Sequence, residues 1–153
     1  MSTLIIYDSF FGNTQQLAQA MAKALNAPAV KVSEVKPELL HGLTLLIVGS
    51  PTRAFRPTPA ISAFIRTLPA NKLQGVKIAT FDTRIPMTDK VPRFLRLMSS
   101  LLGYAAQPMA KALVKKGSTL AVPAEGFLVT DSKGPLAEGE LDRAIAWATG
   151  LKQ

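Results

Sequence analysis

Between the apolar run Thr3–Tyr7 and a helical pattern beginning near Thr14, the chain carries Ser9, Gly12, Asn13 and Thr14. The three polar side chains can hydrogen-bond an anion, and the glycine lets the backbone turn or approach closely. The first N–H groups of the following helix lack intrahelical partners and lie at the positive end of its dipole. Together these make a cradle for a phosphate. No Gly-Lys-Ser/Thr ending follows, which excludes the triphosphate loop, and no G-x-G-x-x-G spacing is present, which excludes the dinucleotide fingerprint. Hydroxyls and amides without a lysine suit a monophosphate. Other chemistry is poorly supplied. The chain has no cysteine and a single histidine, His41, which reads as a surface loop residue. No acid–base dyad or nucleophile–base pair points to a self-contained hydrolase.

The elements around this loop follow from periodicity. "TLIIY" (3–7), "AVKVSEV" (29–35), "TLLIVGS" (44–50), "GVKIATFD" (75–82) and "STLAV" (118–122) are short apolar runs with β-branched residues, and "GFLVT" (126–130) adds a further short run. Such runs suit strands covered on both faces. Between them Leu17, Met21 and Leu25 recur at helical spacing, with Asn13 or Thr14 expected as N-cap and Asn26 with Pro28 as the stop. Further helices are expected from about 60 to 68, 91 to 102, 105 to 117 and 135 to 151. Trp147 of the last one is assigned to the core. Strands alternating with helices predict a five-stranded parallel α/β sheet. A length of 153 residues, with 48% hydrophobic and 18% charged residues and no long linker or repeat, suits one compact domain over 1–153. No segment is long and apolar enough to span a bilayer. "MSTLIIYDS" lacks the features of a signal peptide, so a cytoplasmic location is expected.

The loop and its surroundings resemble the flavodoxin family. Ser9, Gly12, Asn13 and Thr14 match the family pattern [T/S]-x-T-G-x-T, with Phe11 where a hydroxyl is usual. "LLIVGSPTRAFRP" resembles the strand and loop that reach the flavin ring, "FDTRIP" the second ring-contacting loop, and "GPLAEGELDRAIAWA" a final helix of flavodoxin-domain proteins. The resemblance covers the whole chain. It implies a doubly wound sheet of order 2-1-3-4-5 with helices on both faces. It also implies FMN as cofactor, held by Ser9, Phe10, Phe11, Gly12, Asn13 and Thr14 at the phosphate, and by Pro51, Thr52, Arg53, Ala54, Phe55, Thr83 and Arg84 at the ring. Phe10 and Phe11 flank the phosphate turn and are expected to pack against neighbouring loops rather than on the flavin. Phe55 is the aromatic residue available in the first ring loop.

The net charge of +8 calls for an anionic partner. No nucleic-acid module is visible, so nucleic acid is not expected. Arg53, Arg56, Arg84, Lys90, Arg93 and Arg96 gather near the presumed mouth, where typical flavodoxins are acidic. Phe94, Leu97, Met98 and Leu101 repeat at helical spacing in the segment 86–102, which reads as a packed helix or as a basic amphipathic lid with peripheral membrane contact. The leading function is that of an FMN-binding electron carrier or small flavin-dependent oxidoreductase, working with an acidic redox protein or an anionic small molecule. The alternatives are an FMN-free interaction module and a flavin enzyme acting on a quinone or an anionic tetrapyrrole. A phosphoreceiver domain shares the topology, but the strand ends lack its acidic cluster.

Overall fold

The computed structural model describes residues 2–152. Its strands are β1 (Thr3–Tyr7), β2 (Ala29–Lys31), β3 (Leu45–Pro51), β4 (Lys77–Arg84), β5 (Thr119–Leu120) and β6 (Glu125–Leu128). The helices are α1 (Asn13–Leu25), α2 (Pro59–Thr67), α3 (Arg93–Leu102), α4 (Ala106–Val114) and α5 (Glu140–Gly150). All strand pairs are parallel, in the order β2-β1-β3-β4-β5, with β6 also on β4. This is the expected 2-1-3-4-5 order with its last position divided. β5 pairs with Lys77 and Ile78, whereas β6 pairs with Phe81 to Arg84 farther along the same edge. Pro123 lies between the two and has no N–H for a ladder.

Strand alternation assigns each helix its side of the sheet. Leu4, Ile6, Leu46, Val48 and Ile78 point to one face and meet Ile61 and Ile65 of α2 and Met109 and Leu113 of α4. Ile5, Tyr7, Ile47, Ala79 and Phe81 point to the other and meet Leu17 and Met21 of α1 and Ala144 and Ala148 of α5. Ile5, Ile6, Leu17, Met21, Leu46, Ile47 and Ile61 are wholly buried, each adding about 1.5–3 kcal/mol over an exposed side chain. Trp147 joins the core as expected, edge-on to Phe81 and Phe127 with ring centroids 6.1 and 5.9 Å away. The Phe81 ring fills the space over Gly49, where a Cβ would lie 2.1 Å from its tip.

Several boundaries differ from the sequence expectation. The second strand, expected over 29–35, stops at Lys31 and tightens into a 3-10 turn at Val32–Glu34. The last helix, expected from Pro135, begins at Glu140, because the chain first returns to Val129 through Leu136 and then turns at Gly139 with φ 84°. The first helix is capped by Gly12 at φ 93°, without a side-chain cap, so neither Asn13 nor Thr14 is its N-cap. A left-handed turn there is nearly free of steric cost for glycine. Among the described residues no helix is long and apolar enough to cross a membrane.

Candidate functional site

The ends of β1, β3 and β4 lie side by side, with Tyr7 opposite Gly49 and Pro51 opposite Thr83. β2 and β3 flank β1 on opposite sides, so the chain reverses its direction of travel across the sheet here. This is where open parallel sheets bind ligands. A cavity of about 510 Å³ opens at that point, within the roughly 300–1,000 Å³ range of small-molecule sites. Eleven of the thirteen residues expected to bind cofactor line it: Ser9, Phe10, Phe11, Asn13, Thr14, Pro51, Thr52, Arg53, Ala54, Thr83 and Arg84. Gly12 and Phe55 do not line it.

The first wall is the loop from β1 into α1. Gly12 N–H donates to Ser9 Oγ at 3.0 Å, and Ser9 N–H donates to an Asp8 carboxylate oxygen at 2.9 Å. Because Gly12 is the cap, the first helical hydrogen bond is from Gln16 N–H to the Gly12 carbonyl. Among the described residues the N–H groups of Phe10, Phe11, Asn13, Thr14 and Gln15 therefore have no acceptor. Asn13 Nδ2 donates to the Lys133 carbonyl at 3.2 Å and fixes the far wall, where Ser132 and Val129 complete the lining. Gly134 makes that approach practicable, since a Cβ there would lie 2.5 Å from the Asn13 amide.

The second wall is the loop after β3. Arg53 and Arg56 exchange backbone hydrogen bonds of 2.8 and 3.0 Å around Ala54 and Phe55, which hold φ values of 49° and 67°. Two left-handed residues inside a two-residue turn are the geometry that Asn-Gly usually supplies. The loop is braced from behind. Thr52 N–H donates to the Thr83 carbonyl, Thr52 Oγ accepts from Ala105 N–H, and Thr58 N–H donates to Ser50 Oγ.

The third wall follows β4. Thr83 Oγ and Thr14 Oγ share a buried hydrogen bond of 3.2 Å, which ties this wall to the first. Arg84 lines the cavity, but its Nε and Nη2 donate to the two oxygens of Asp82 at 2.7 Å each. Its guanidinium also stacks 3.7 Å over the Tyr104 ring. Asp82 is wholly buried and accepts a further bond from Ala106 N–H. Burial raises its carboxyl above the ordinary 3.8, against the opposing hydrogen bonds and charge of Arg84 and the N–H of Ala106. Arg84 was expected at the ring as one of the basic residues of the mouth. The structure holds it in an ion pair.

The two phenylalanines meet neighbouring loops, as expected, through cations at the rim. Phe10 and Phe11 are 51% and 47% exposed, so the contacts leave about half of each residue open. They stand at the rim, with the Arg53 guanidinium 5.0 and 5.9 Å from their ring centroids and Lys133 Nζ 5.8 Å from Phe11. Val129 and Ser132 were missed, and Ile85 lines the cavity beside the residues expected to bind the cofactor. Ile85 belongs to the expected "FDTRIP" loop, and "TDSKGP" carried a turn signal with no hint of which wall it would build.

No family model matches the sequence, and no curated protein matches it. Solved structures do. Flavodoxin 1 of Bacillus cereus is 13% identical, with 99% of this chain and 97% of that one aligned at a TM-score of 0.71. The Streptococcus pneumoniae flavodoxin is 16% identical over 99% and 98% of the two chains, at 0.72. The fold is that of the flavodoxins. The same flavodoxin-like fold makes up part of the rubredoxin oxygen:oxidoreductase of Desulfovibrio gigas, which is 16% identical and aligns over 99% of this chain and 36% of that one, at 0.72.

Proposed function

We propose that this single flavodoxin-like domain binds FMN and serves as an electron carrier or small flavin-dependent oxidoreductase. The observation that carries the reading is one cavity that joins a cradle of unpaired amides to a slot between two braced loops. The donor set fits the group. A phosphate is met by the amides at the start of α1 and by the hydroxyls of Ser9 and Thr14, without a lysine. The slot offers the Thr52–Arg53–Ala54 backbone on one side and Thr83, the Arg84–Asp82 pair and the apolar Ile85 on the other. When bound, FMN supplies the electron-transfer chemistry. The chain's own residues bind and orient it. Ser9 and Thr14 hold the phosphate, the loop after β3 limits water at the ring, and Phe10, Phe11 and Arg53 form the rim that an acidic redox protein or an anionic small molecule meets.

An FMN titration followed by flavin fluorescence tests this. Replacing Ser9 and Thr14 together by Ala removes two hydrogen bonds to a charged group, about 1.5–3 kcal/mol each, so affinity falls at least about tenfold. Undiminished affinity in that double variant, or no FMN binding by the parent chain, would overturn the reading.

A further inference from the structure

Helix α3 is amphipathic, and its apolar side faces outward. Phe94, Leu97 and Leu101 are 66%, 59% and 73% exposed, and Leu95 and Leu102 beside them are also exposed. Its one buried residue is Ser99, whose hydroxyl donates to the Arg96 carbonyl. Arg96 is half-buried, with its Nε covered and without a partner among the described residues and its Nη1 3.3 Å from the exposed Asp89. An ordinary surface helix buries its apolar stripe and wets its charges. Here most of the apolar stripe is exposed, with Met98 alone half-buried, and neither core cluster includes α3.

The charge around this helix is as one-sided as its packing. Residues 39–124 hold twelve lysines and arginines but two acidic residues, Asp82 and Asp89. Both acids are paired with arginines from the same stretch. The helices of that stretch are α2, α3 and α4, and α2 and α4 pack on one face of the sheet. Lys90 and Arg93 stand exposed at the start of α3. Lys111 lines the cleft that Leu101 and Leu102 share with α4. Arg56, Arg66 and Lys115 line a second, apolar-floored cavity of about 760 Å³ between α2 and α4. Pro108 borders both, so the basic surface continues from one to the other.

We infer that this face docks on an anionic lipid bilayer, with α3 lying in the headgroup layer and its Phe and Leu side chains entering the acyl boundary. A large apolar stripe on a helix of low overall hydrophobicity, ringed by lysine and arginine, is what an interfacial helix requires. A bilayer offers negative charge and, beneath it, apolar depth in the order that this surface needs. A second copy of the chain does not, because a two-fold contact would set one basic face against another. Arg84 lines both the candidate cofactor cavity and the cleft under α3, so the docking face adjoins the mouth of that cavity. Lipid binding itself requires no flavin.

Flotation of the full chain with vesicles at low salt tests the inference. Phosphatidylcholine vesicles containing about a third phosphatidylglycerol retain the protein, and pure phosphatidylcholine vesicles do not. Leu97→Ser with Leu101→Ser, at positions too exposed to disturb folding, lowers partition at least about tenfold. Lys90→Gln and Arg93→Gln each lower it about fivefold. In Leu97→Trp, tryptophan emission moves to shorter wavelength when anionic vesicles are added. Three results would overturn the inference: no retention by anionic vesicles, equal retention by neutral ones, or retention that the serine pair leaves unchanged. A dimer in sedimentation velocity that the serine pair abolishes, with no vesicle retention, would assign the face to a second copy instead.

Discussion

Ala54 and Phe55 carry backbone strain at the mouth of the cavity, since each holds a left-handed conformation without being glycine. That conformation costs an L-residue roughly 1–2 kcal/mol, and strain of this kind persists where the surroundings over-determine it. The braces are the paired Arg53 and Arg56 backbones and the Thr52 bonds to Thr83 and Ala105. Ala54→Gly therefore raises stability by up to about 1 kcal/mol in urea unfolding while loosening the loop, so that FMN affinity drops although no side-chain contact of note is lost. A variant that is less stable than the parent would show that the turn is not strained. The place of Ser9, Asn13 and Thr14 on the cavity wall was legible in the sequence, because a strand, a glycine turn and a helix start are enough to bring them there. The cancellation of Arg84 by Asp82 was also within reach. Residues i and i+2 of a strand share a face, but β4 had to be extended through Arg84 before the two could be seen as partners. The αL pair at Ala54 and Phe55 was not legible, because neither residue type signals a positive φ.

Glu140 shows how a single carboxylate joins elements. Its oxygens accept from Leu128 N–H of β6 at 2.7 Å and from Arg143 of α5 at 2.8 Å, and Arg143 in turn pairs with Glu125. The Arg143 hydrogen bonds hold the Glu140 carboxyl below its ordinary 4.5, against the opposing effect of burial, with help from the Leu128 N–H. A lowered folded-state value means that the unfolded chain binds this proton more readily. The stabilisation is then present above pH 4.5 and lost as pH falls through the folded value. Glu140→Gln loses about 1–3 kcal/mol at neutral pH and flattens the acid limb of thermal unfolding below that point. An acid limb identical to that of the parent would remove Glu140 from the account. Periodicity found the five helices and the apolar strands, since each needs one apolar stripe or run, whereas the strand order came from the family resemblance. It misplaced the start of α5, because Leu136 continues the apolar spacing while its backbone returns to Val129. It found α3 but could not say which side faces outward, because an amphipathic pattern is the same whether its apolar stripe meets the core or a lipid.

At the scale of the molecule, the net charge of +8 conceals a division, because residues 39–124 carry the positive excess while the remainder carries more acids than bases. The rim of the candidate site belongs to the basic side through Arg53, and Lys133 adds a second cation beside Phe11. A field of this kind acts on approach more than on the bound state. It raises the encounter rate of an anion and lowers that of a cation, and salt removes both effects as the Debye length shrinks to about 10 Å at 0.1 M and about 3 Å at 1 M. Two small one-electron oxidants of opposite charge separate this from any salt effect on the fold. With the FMN-loaded protein reduced beforehand and mixed in a stopped-flow instrument, oxidation by ferricyanide slows as ionic strength rises, whereas oxidation by tris(phenanthroline)cobalt(III) accelerates. Arg53→Gln with Lys133→Gln shrinks both slopes. Lys23→Gln on α1, which packs against the opposite face of the sheet, leaves both slopes nearly unchanged. Slopes of the same sign for the two oxidants would mean that the rim does not steer its partners by charge. Equal effects from Lys23 and Arg53 would mean that net charge matters and its placement does not.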